Sequence, residues 1–169
     1  MKIGVISDTH DYLPQVRKVI DVLNGEELEL VIHCGDYVSP FVIKEFSKLK
    51  TEIIGVFGNN DGDKRTLLSL AEQIGMKIYN QPHVLVVGES KIMIFHGLGP
   101  SAQTREIVYS VAEKGIYDFI FYGHIHQRDL RKFGKTIVVN PGEVFGFLSG
   151  KPSLAIIDLD EKEVSFREL

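Results

Sequence analysis

The sequence contains little cysteine and no long hydrophobic run. Its single cysteine, Cys34, cannot form an internal disulfide and excludes metal sites built from several cysteinates. Any metal must therefore use oxygen and nitrogen ligands. No apolar run approaches the roughly 20 residues that a bilayer span requires, and Met1 leads into a strand-like segment rather than a basic and apolar signal. These absences predict a cytoplasmic protein that does not cross a membrane.

The sequence also lacks an excess of positive charge. It carries 23 acidic and 19 basic side chains, for a net charge of −4, which argues against long DNA or RNA as a partner. Hydrophobic residues make up 44% of the 169 positions, and 16 glycines and 6 prolines are too few for a disordered or fibrous chain. This composition predicts one globular domain over residues 1–169.

Strands and helices are predicted to alternate in the first half of the chain. Short apolar runs predict strands, and apolar residues at helical spacing predict helices. The strands are expected at 2–7, 28–34 and 53–57, and the helices at 12–24, 41–49 and 67–73. Ser39 and Pro40 are typical of an N-cap and a first helical turn, and Gly75 is typical of a helix end.

Strands predominate after residue 76. The predicted strands are 78–79, 84–87, 91–95, 118–122, 128–133, 136–139, 154–159 and 164–166. One further helix is predicted from an N-cap at Ser101 to a stop at Gly115. This order predicts an α/β fold in which two sheets, one mixed and one more antiparallel, pack face to face with helices outside.

Residues that can bind a metal follow five of the strand-like runs. These residues are Asp8, Asp36, Asn59, His96 and His124. Ligands bind beyond the carboxyl ends of the strands in α/β sheets, so these side chains are expected to converge. His10 and His126 lie two positions further on, and in an extended segment such a pair points to the same side. Three oxygen donors and four imidazoles exceed one tetrahedral site and suit two divalent ions that share a carboxylate.

These donors belong to five short motifs. In chain order the motifs are Asp8-Thr9-His10, Gly35-Asp36, Gly58-Asn59-Asn60-Asp61, His96-Gly97 and Gly123-His124-Ile125-His126. Over residues 1 to about 150 they resemble the motifs of the calcineurin-like metallophosphoesterases. The segment Asn140-Pro141-Gly142-Glu143 is similar to one found in the small single-domain phosphodiesterases of that family. The resemblance implies a four-layer αββα sandwich of two mixed β-sheets flanked by helices.

The resemblance also implies a site of two divalent ions per chain. One ion would be held by Asp8, His10, Asp36 and His126, and the other by Asp36, Asn59, His96 and His124. Asp36 would bridge the ions, and Asp36, Asn59 and His96 would be the catalytic residues. Mn²⁺ is the first expectation, and Ni²⁺, Zn²⁺, Fe²⁺, Co²⁺ and Mg²⁺ are the alternatives. The expected reaction is attack of a metal-bridging hydroxide on a small phosphodiester.

Two positions depart from the family pattern. Asn60 and Leu98 stand where relatives often have a histidine, so the usual candidate for a general acid is missing. Asp61 is either a helix N-cap or a partner that orients a ligand, and the role of Glu143 stays open. His33 and His83 are predicted to be structural.

The aromatic pair Phe145 and Phe147 has three interpretations. Ordinary packing is the default, and a pocket lining or a contact in a homo-oligomer are the others. The same site could also serve a phosphomonoesterase or a nuclease, or the fold could be a non-catalytic scaffold for partner proteins. The complete donor set favours catalysis. The negative net charge argues against a nuclease, and the missing acid histidines argue against an efficient monoesterase.

Overall fold

The computed structural model describes residues 1–169 and contains eleven strands and four helices. In chain order these are β1 (Lys2–Ile6), α1 (Leu13–Gly25), β2 (Leu30–His33), α2 (Pro40–Phe46), β3 (Ile53–Val56), α3 (Lys64–Gln73), β4 (Lys77–Tyr79), β5 (His83–Val87), β6 (Ser90–Phe95), α4 (Ser101–Ala112), β7 (Phe119–Tyr122), β8 (Arg128–Phe133), β9 (Thr136–Pro141), β10 (Ser153–Asp158) and β11 (Glu163–Glu168). None of the four helices combines the length and apolarity that crossing a membrane would require.

The strands form two mixed sheets. The first has the order β11-β10-β1-β2-β3-β4, with β1 to β4 parallel and β10 antiparallel to β1. The second has the order β5-β6-β7-β9-β8, with β6, β7 and β9 parallel and both edge strands antiparallel. Two of the five strand pairings in the first sheet are antiparallel, against two of four in the second, so both sheets are mixed and the second is the more antiparallel, as predicted. The connection from β6 to β7 passes through α4, and such a crossover makes neighbouring strands parallel.

The apolar residues form three cores that separate four layers. Between the sheets, Ile3 and Ile32 of the first sheet belong to one buried cluster with Ile94 and Phe121 of the second. Helices α1, α2 and α3 cover the outer face of the first sheet, and α4 packs on the second through residues such as Val108. This arrangement confirms the predicted αββα sandwich.

Three helix starts test the predicted caps. Ser39 caps α2 as predicted, because its side chain accepts a hydrogen bond from the N–H of Phe41. Helix α3 begins earlier than predicted, and Asp63 caps it by accepting from the N–H of Thr66 at 3.2 Å. The predicted cap at Ser101 is wrong: this residue already lies in α4, and no side chain caps that helix.

A glycine in β3 gives the first testable prediction. A Cβ on Gly55 would collide with the hydroxyl of Tyr37 and the carbonyl oxygen of His33, whereas a Cβ on Gly62 would meet nothing within 4 Å. We expect Gly55→Ala to lower the free energy of unfolding by about 1–3 kcal/mol, because the strand neighbour His33 cannot move aside. Chemical denaturation should show no comparable loss for Gly62→Ala, and equal losses would contradict the steric explanation.

Candidate metal centre

The seven predicted donors meet where strands of both sheets end. Asp8 follows β1, Asp36 follows β2, Asn59 follows β3, His96 follows β6, and His124 follows β7, with His10 and His126 in the same loops as Asp8 and His124. The carboxyl ends of these strands all face one region of the molecule, which is why residues distant in sequence are brought together there.

Short distances connect the donors into two groups. Ligand atoms of Asp8, His10 and His126 lie within 4.8 Å of one another, and so do those of Asp8, Asp36 and His96. Asp8 therefore belongs to both groups. Asn59 extends the second group, because its Oδ1 lies 3.0 Å from His96 Nε2 and 2.8 Å from Nδ1 of the seventh donor, His124.

The backbone at these donors is left-handed. Seven residues other than glycine have positive φ, and five of them are predicted donors: Asp8 (52°), His10 (43°), Asp36 (63°), His124 (71°) and His126 (57°). The premise that each pair two positions apart lies on an extended segment is therefore wrong. The pairs converge because each member occupies the left-handed region, which is costly outside glycine and recurs at functional sites.

Three histidine rings are oriented through the nitrogen that points away from the donor groups. Nδ1 of His96 donates to the carbonyl oxygen of Cys34 at 2.8 Å, and Nε2 of His124 donates to the carbonyl oxygen of Gly99 at 2.6 Å. Nδ1 of His126 lies 2.7 Å from a carboxylate oxygen of Glu143. Metal-binding histidines are commonly held this way, because the bond to one nitrogen fixes the lone pair of the other.

Two buried carboxylates concentrate negative charge at the site. Asp8 and Asp36 are 0% and 1% exposed, and their only cationic partners within 4.0 Å are the rings of His126 and His96. Burial opposes protonation of His96, but Asp36, Asp8 and the Cys34 carbonyl raise its pKa to about 9. Burial would raise the pKa of Asp36, yet its contacts with His96 and Asn60 hold that pKa well below its usual value. The site therefore favours bound positive charge.

Several acceptors in the site have no donor. Asp8 Oδ1 and His10 Nε2 are buried without a hydrogen-bond partner, which costs about 1–3 kcal/mol for each such group. Nε2 of His124 donates to a carbonyl oxygen, so Nδ1 of the same ring is an acceptor. This Nδ1 lies 2.8 Å from Asn59 Oδ1, which is also an acceptor, and no hydrogen lies between them. A cation satisfies such acceptors. The residues present therefore fit the divalent ions that the resemblance implies.

Two residues of the third motif support Asp36. Asp61 accepts hydrogen bonds from the N–H groups of Asp36 (3.1 Å), Val38 (2.7 Å) and Gly58 (2.7 Å), so it ties two donor loops together. Asn60 donates to both carboxylate oxygens of Asp36, from its backbone at 2.8 Å and from its side chain at 2.6 Å. Asp61 is not the N-cap of α3, which is Asp63, and its contacts are those expected of a partner that positions the Asp36 loop.

Glu143 and Gln81 take part in the site without being predicted donors. Glu143 is fully buried and holds His126, which answers the question that the sequence left open. Gln81 lies outside every motif, and its side-chain oxygen accepts from the N–H groups of His96 (2.7 Å) and Gly97 (3.0 Å). No local pattern in the sequence indicates that Gln81 reaches this loop.

The remaining histidines lie outside the donor groups. Both ring nitrogens of His33 are engaged, Nδ1 by the N–H of Gly35 and Nε2 by the hydroxyl of Thr9, each at 3.0 Å. Burial lowers the pKa of His33 well below its ordinary value, so the ring is neutral. His83 stacks on Tyr79 with ring centroids 3.7 Å apart. These contacts agree with the predicted structural roles.

Comparison with known proteins identifies close relatives of the chain. The family model described as a calcineurin-like phosphoesterase superfamily domain matches residues 1–162. A phosphodiesterase of Methanocaldococcus jannaschii is 41% identical over 170 residues, which cover 100% of this chain and 98% of that protein. The solved structure of an archaeal phosphodiesterase superposes with a TM-score of 0.91 at 40% identity and covers both chains completely.

More distant structures share the fold. Vps29 of Entamoeba histolytica, solved with Zn²⁺, has a TM-score of 0.74 at 23% identity over 99% of this chain and 91% of that chain. YfcE, a phosphoesterase from E. coli, has a TM-score of 0.70 at 18% identity over 100% of this chain and 98% of that chain. Together with the family match over residues 1–162 and the 41% identical relative, the motifs show that this chain belongs to the calcineurin-like phosphoesterase superfamily.

Proposed function

We propose that the chain, acting as one domain over residues 1–169, hydrolyses small phosphodiesters with two divalent metal ions. The observation that carries this proposal is two adjoining donor groups around the buried carboxylates of Asp8 and Asp36, with the unpartnered Asp8 Oδ1 and His10 Nε2 in one of them. The identity of 41% to a protein named as a phosphodiesterase supports diesters as the substrate class.

The proposed ligand sets are those that the family resemblance implies. Asp8, His10, Asp36 and His126 would hold one ion, and Asp36, Asn59, His96 and His124 would hold the other, with Mn²⁺ as the first candidate. When bound, the two ions would supply an activated water nucleophile and would offset negative charge on the phosphoryl oxygens. The proposed catalytic residues are Asp36, Asn59 and His96.

The chain's own residues would keep these donors ready to bind. The Cys34 carbonyl and the Glu143 carboxylate fix the rings of His96 and His126, so that the Nε2 atom of each ring points toward the carboxylates. Asn60 satisfies both oxygens of Asp36 and holds the carboxylate in one orientation. Orientation of this kind commonly contributes 10- to 100-fold, as an order of magnitude, to metal affinity or activity.

The five residues considered as a general acid are not free to protonate a leaving group. The side-chain amide of Asn60 is bonded to Asp36, and Leu98 is apolar and 60% exposed. His33 is fully buried with both nitrogens engaged, and the carboxylates of Asp61 and Glu143 are occupied by N–H donors or by His126. The proposed substrates are therefore diesters whose leaving group departs without a proton.

Metal removal and replacement test this proposal. Metal-stripped protein should be inactive, and adding back Mn²⁺, Ni²⁺, Zn²⁺, Fe²⁺, Co²⁺ or Mg²⁺ in turn should restore cleavage of phosphodiesters in preference to monoesters. Elemental analysis of the loaded protein should find two equivalents per chain, because the donors form two groups. A reproducible single equivalent would contradict the two-metal centre, and a preference for monoesters would contradict the substrate class.

A non-catalytic scaffold is the competing function. The likeness to Vps29 concerns the fold alone at 23% identity. The two donor groups favour catalysis, because a scaffold does not require buried, unpartnered ligand atoms. Absence of hydrolysis of any ester by protein that carries two metal equivalents would favour the scaffold.

A further inference from the structure

A cluster of three aromatic side chains lies against the metal centre. Phe145, Phe147 and Tyr12 form this cluster, which we call the aromatic row. The Phe145 ring lies 4.8 Å from the ring of His10, and Phe147 stacks on Phe145 at 4.8 Å with an interplanar angle of 27°. Tyr12 meets Phe147 edge-on at 5.4 Å. The rings thus lead outward from a proposed metal ligand.

The outer part of the aromatic row is open to solvent. Phe147 is 68% exposed and Tyr12 is 39% exposed, whereas the core of the protein buries its large aromatic side chains. Most of the Phe147 side chain is therefore free to contact a second molecule. A flat apolar surface that begins at a proposed metal ligand is suited to a ring on a substrate whose phosphate would bind at the proposed ions.

The loop that carries the row is held at the metal centre. The N–H of Phe145 donates to the carbonyl oxygen of Asp8 at 3.0 Å. One carboxylate oxygen of Glu143 accepts from the N–H groups of Leu148 (2.9 Å) and Ser149 (2.5 Å), and the other contacts His126 at 2.7 Å. The carboxylate that orients a proposed ligand therefore also binds the loop that carries the two phenylalanines.

We propose that the aromatic row binds a planar aromatic ring on the ester group that remains attached to phosphorus. This inference rests on the proposed function and names its substrate class: phosphodiesters with an aryl or nucleobase ring. A second copy of the chain fits the aromatic row less well than a substrate ring does. Phe147 and Tyr12 are only 68% and 39% exposed, so two rings of about 150–250 Å² each offer well under the roughly 500 Å² that each partner contributes to a stable interface.

Binding of phosphonates tests the row without turnover. Phenylphosphonate, cyclohexylphosphonate and methylphosphonate share one anionic group, so calorimetric titration of Mn²⁺-loaded protein isolates the effect of the ring. We expect phenylphosphonate to bind about 5- to 100-fold more tightly than cyclohexylphosphonate, because stacking requires a flat π face. Phe147→Ala should abolish this preference, and Phe147→Tyr should keep it. Phe41→Ala, which removes a ring that is 64% exposed on α2, is the matched control and should also keep it.

Hydrolysis then identifies the source of the ring. Diesters with a common 4-nitrophenyl leaving group and a phenyl, cyclohexyl or thymidin-5′-yl second ester differ only in that second ester group. A preference for the thymidinyl diester that is lost in Phe147→Ala indicates nucleotide-type substrates, and a preference for the phenyl diester indicates aryl substrates. Phosphonate selectivity without hydrolysis of any diester would refute the proposed function and leave the ring site standing.

Three results would overturn the inference. They are equal binding of phenylphosphonate and cyclohexylphosphonate, a preference that survives in Phe147→Ala, and a lower sedimentation-derived mass of Phe147→Ala. The last result would show that the row covers a second copy of the chain rather than a substrate ring.

Discussion

Asp36→Asn should lower kcat for phosphodiester hydrolysis by about 10³-fold, on the scale of losing a group that stabilises charge in the transition state. Asparagine keeps the shape of the side chain and removes its charge. Asp36 lies in one donor group with Asp8 and His96, and its proposed role is to bridge both ions. The variant should also retain fewer than two metal equivalents, which separates loss of the centre from loss of chemistry.

Two variants control this experiment. Asp118→Asn changes a carboxylate that binds the N–H of Lys91 and pairs with Lys135 outside the donor groups, so hydrolysis should be unchanged. A folded His33→Ala variant should retain more activity than Asp36→Asn, because His33 contacts only Thr9 and Gly35 among the motif residues. If His33→Ala were the poorer catalyst with both metals bound, the assignment of His33 as structural would be wrong.

The rate of hydrolysis should also fall steeply as the leaving group becomes more basic. A positioned general acid typically contributes about 10²–10⁴-fold, and this benefit is largest for alkoxides, which need a proton to depart. Asn60 and Leu98 carry no titratable proton, and His33, Asp61 and Glu143 are each engaged by other groups of the protein. Diesters that differ only in leaving-group pKa should therefore give a large negative Brønsted slope, with aryl esters cleaved well and alkyl esters poorly.

A restored histidine should flatten that slope. Leu98→His adds an acid at an exposed position and disturbs no contact of Asp36, and Asn60→His adds one at the cost of a hydrogen bond to Asp36. Leu98→Asn is the polar control without a titratable ring. A flat slope in the unmodified protein, measured where chemistry limits the rate, would reveal an acid that these contacts do not identify.

Local patterns in the sequence determined the order of strands and helices and the polar residues at the strand ends. Asp8, Asp36, Asn59, His96 and His124 stand out because each follows a buried apolar run, and that signal needs no knowledge of the fold. The cap at Ser39 was predictable because it bonds to an N–H only two positions away, but the same local reasoning failed at Ser101, which lies inside α4.

The tertiary structure alone decided which groups support those residues. Gln81 reaches His96 across 15 positions, and Glu143 reaches His126 across 17. The N–H of Phe145 donates to the carbonyl oxygen of Asp8, 137 positions earlier, so its place beside the candidate metal centre follows from sheet packing rather than from its neighbours in sequence. The left-handed backbone at the donors is likewise imposed by contacts between loops of different strands. The sequence shows which side chains follow each strand. Only the assembled sheets bring the ends of separate strands together and set the direction in which each side chain points.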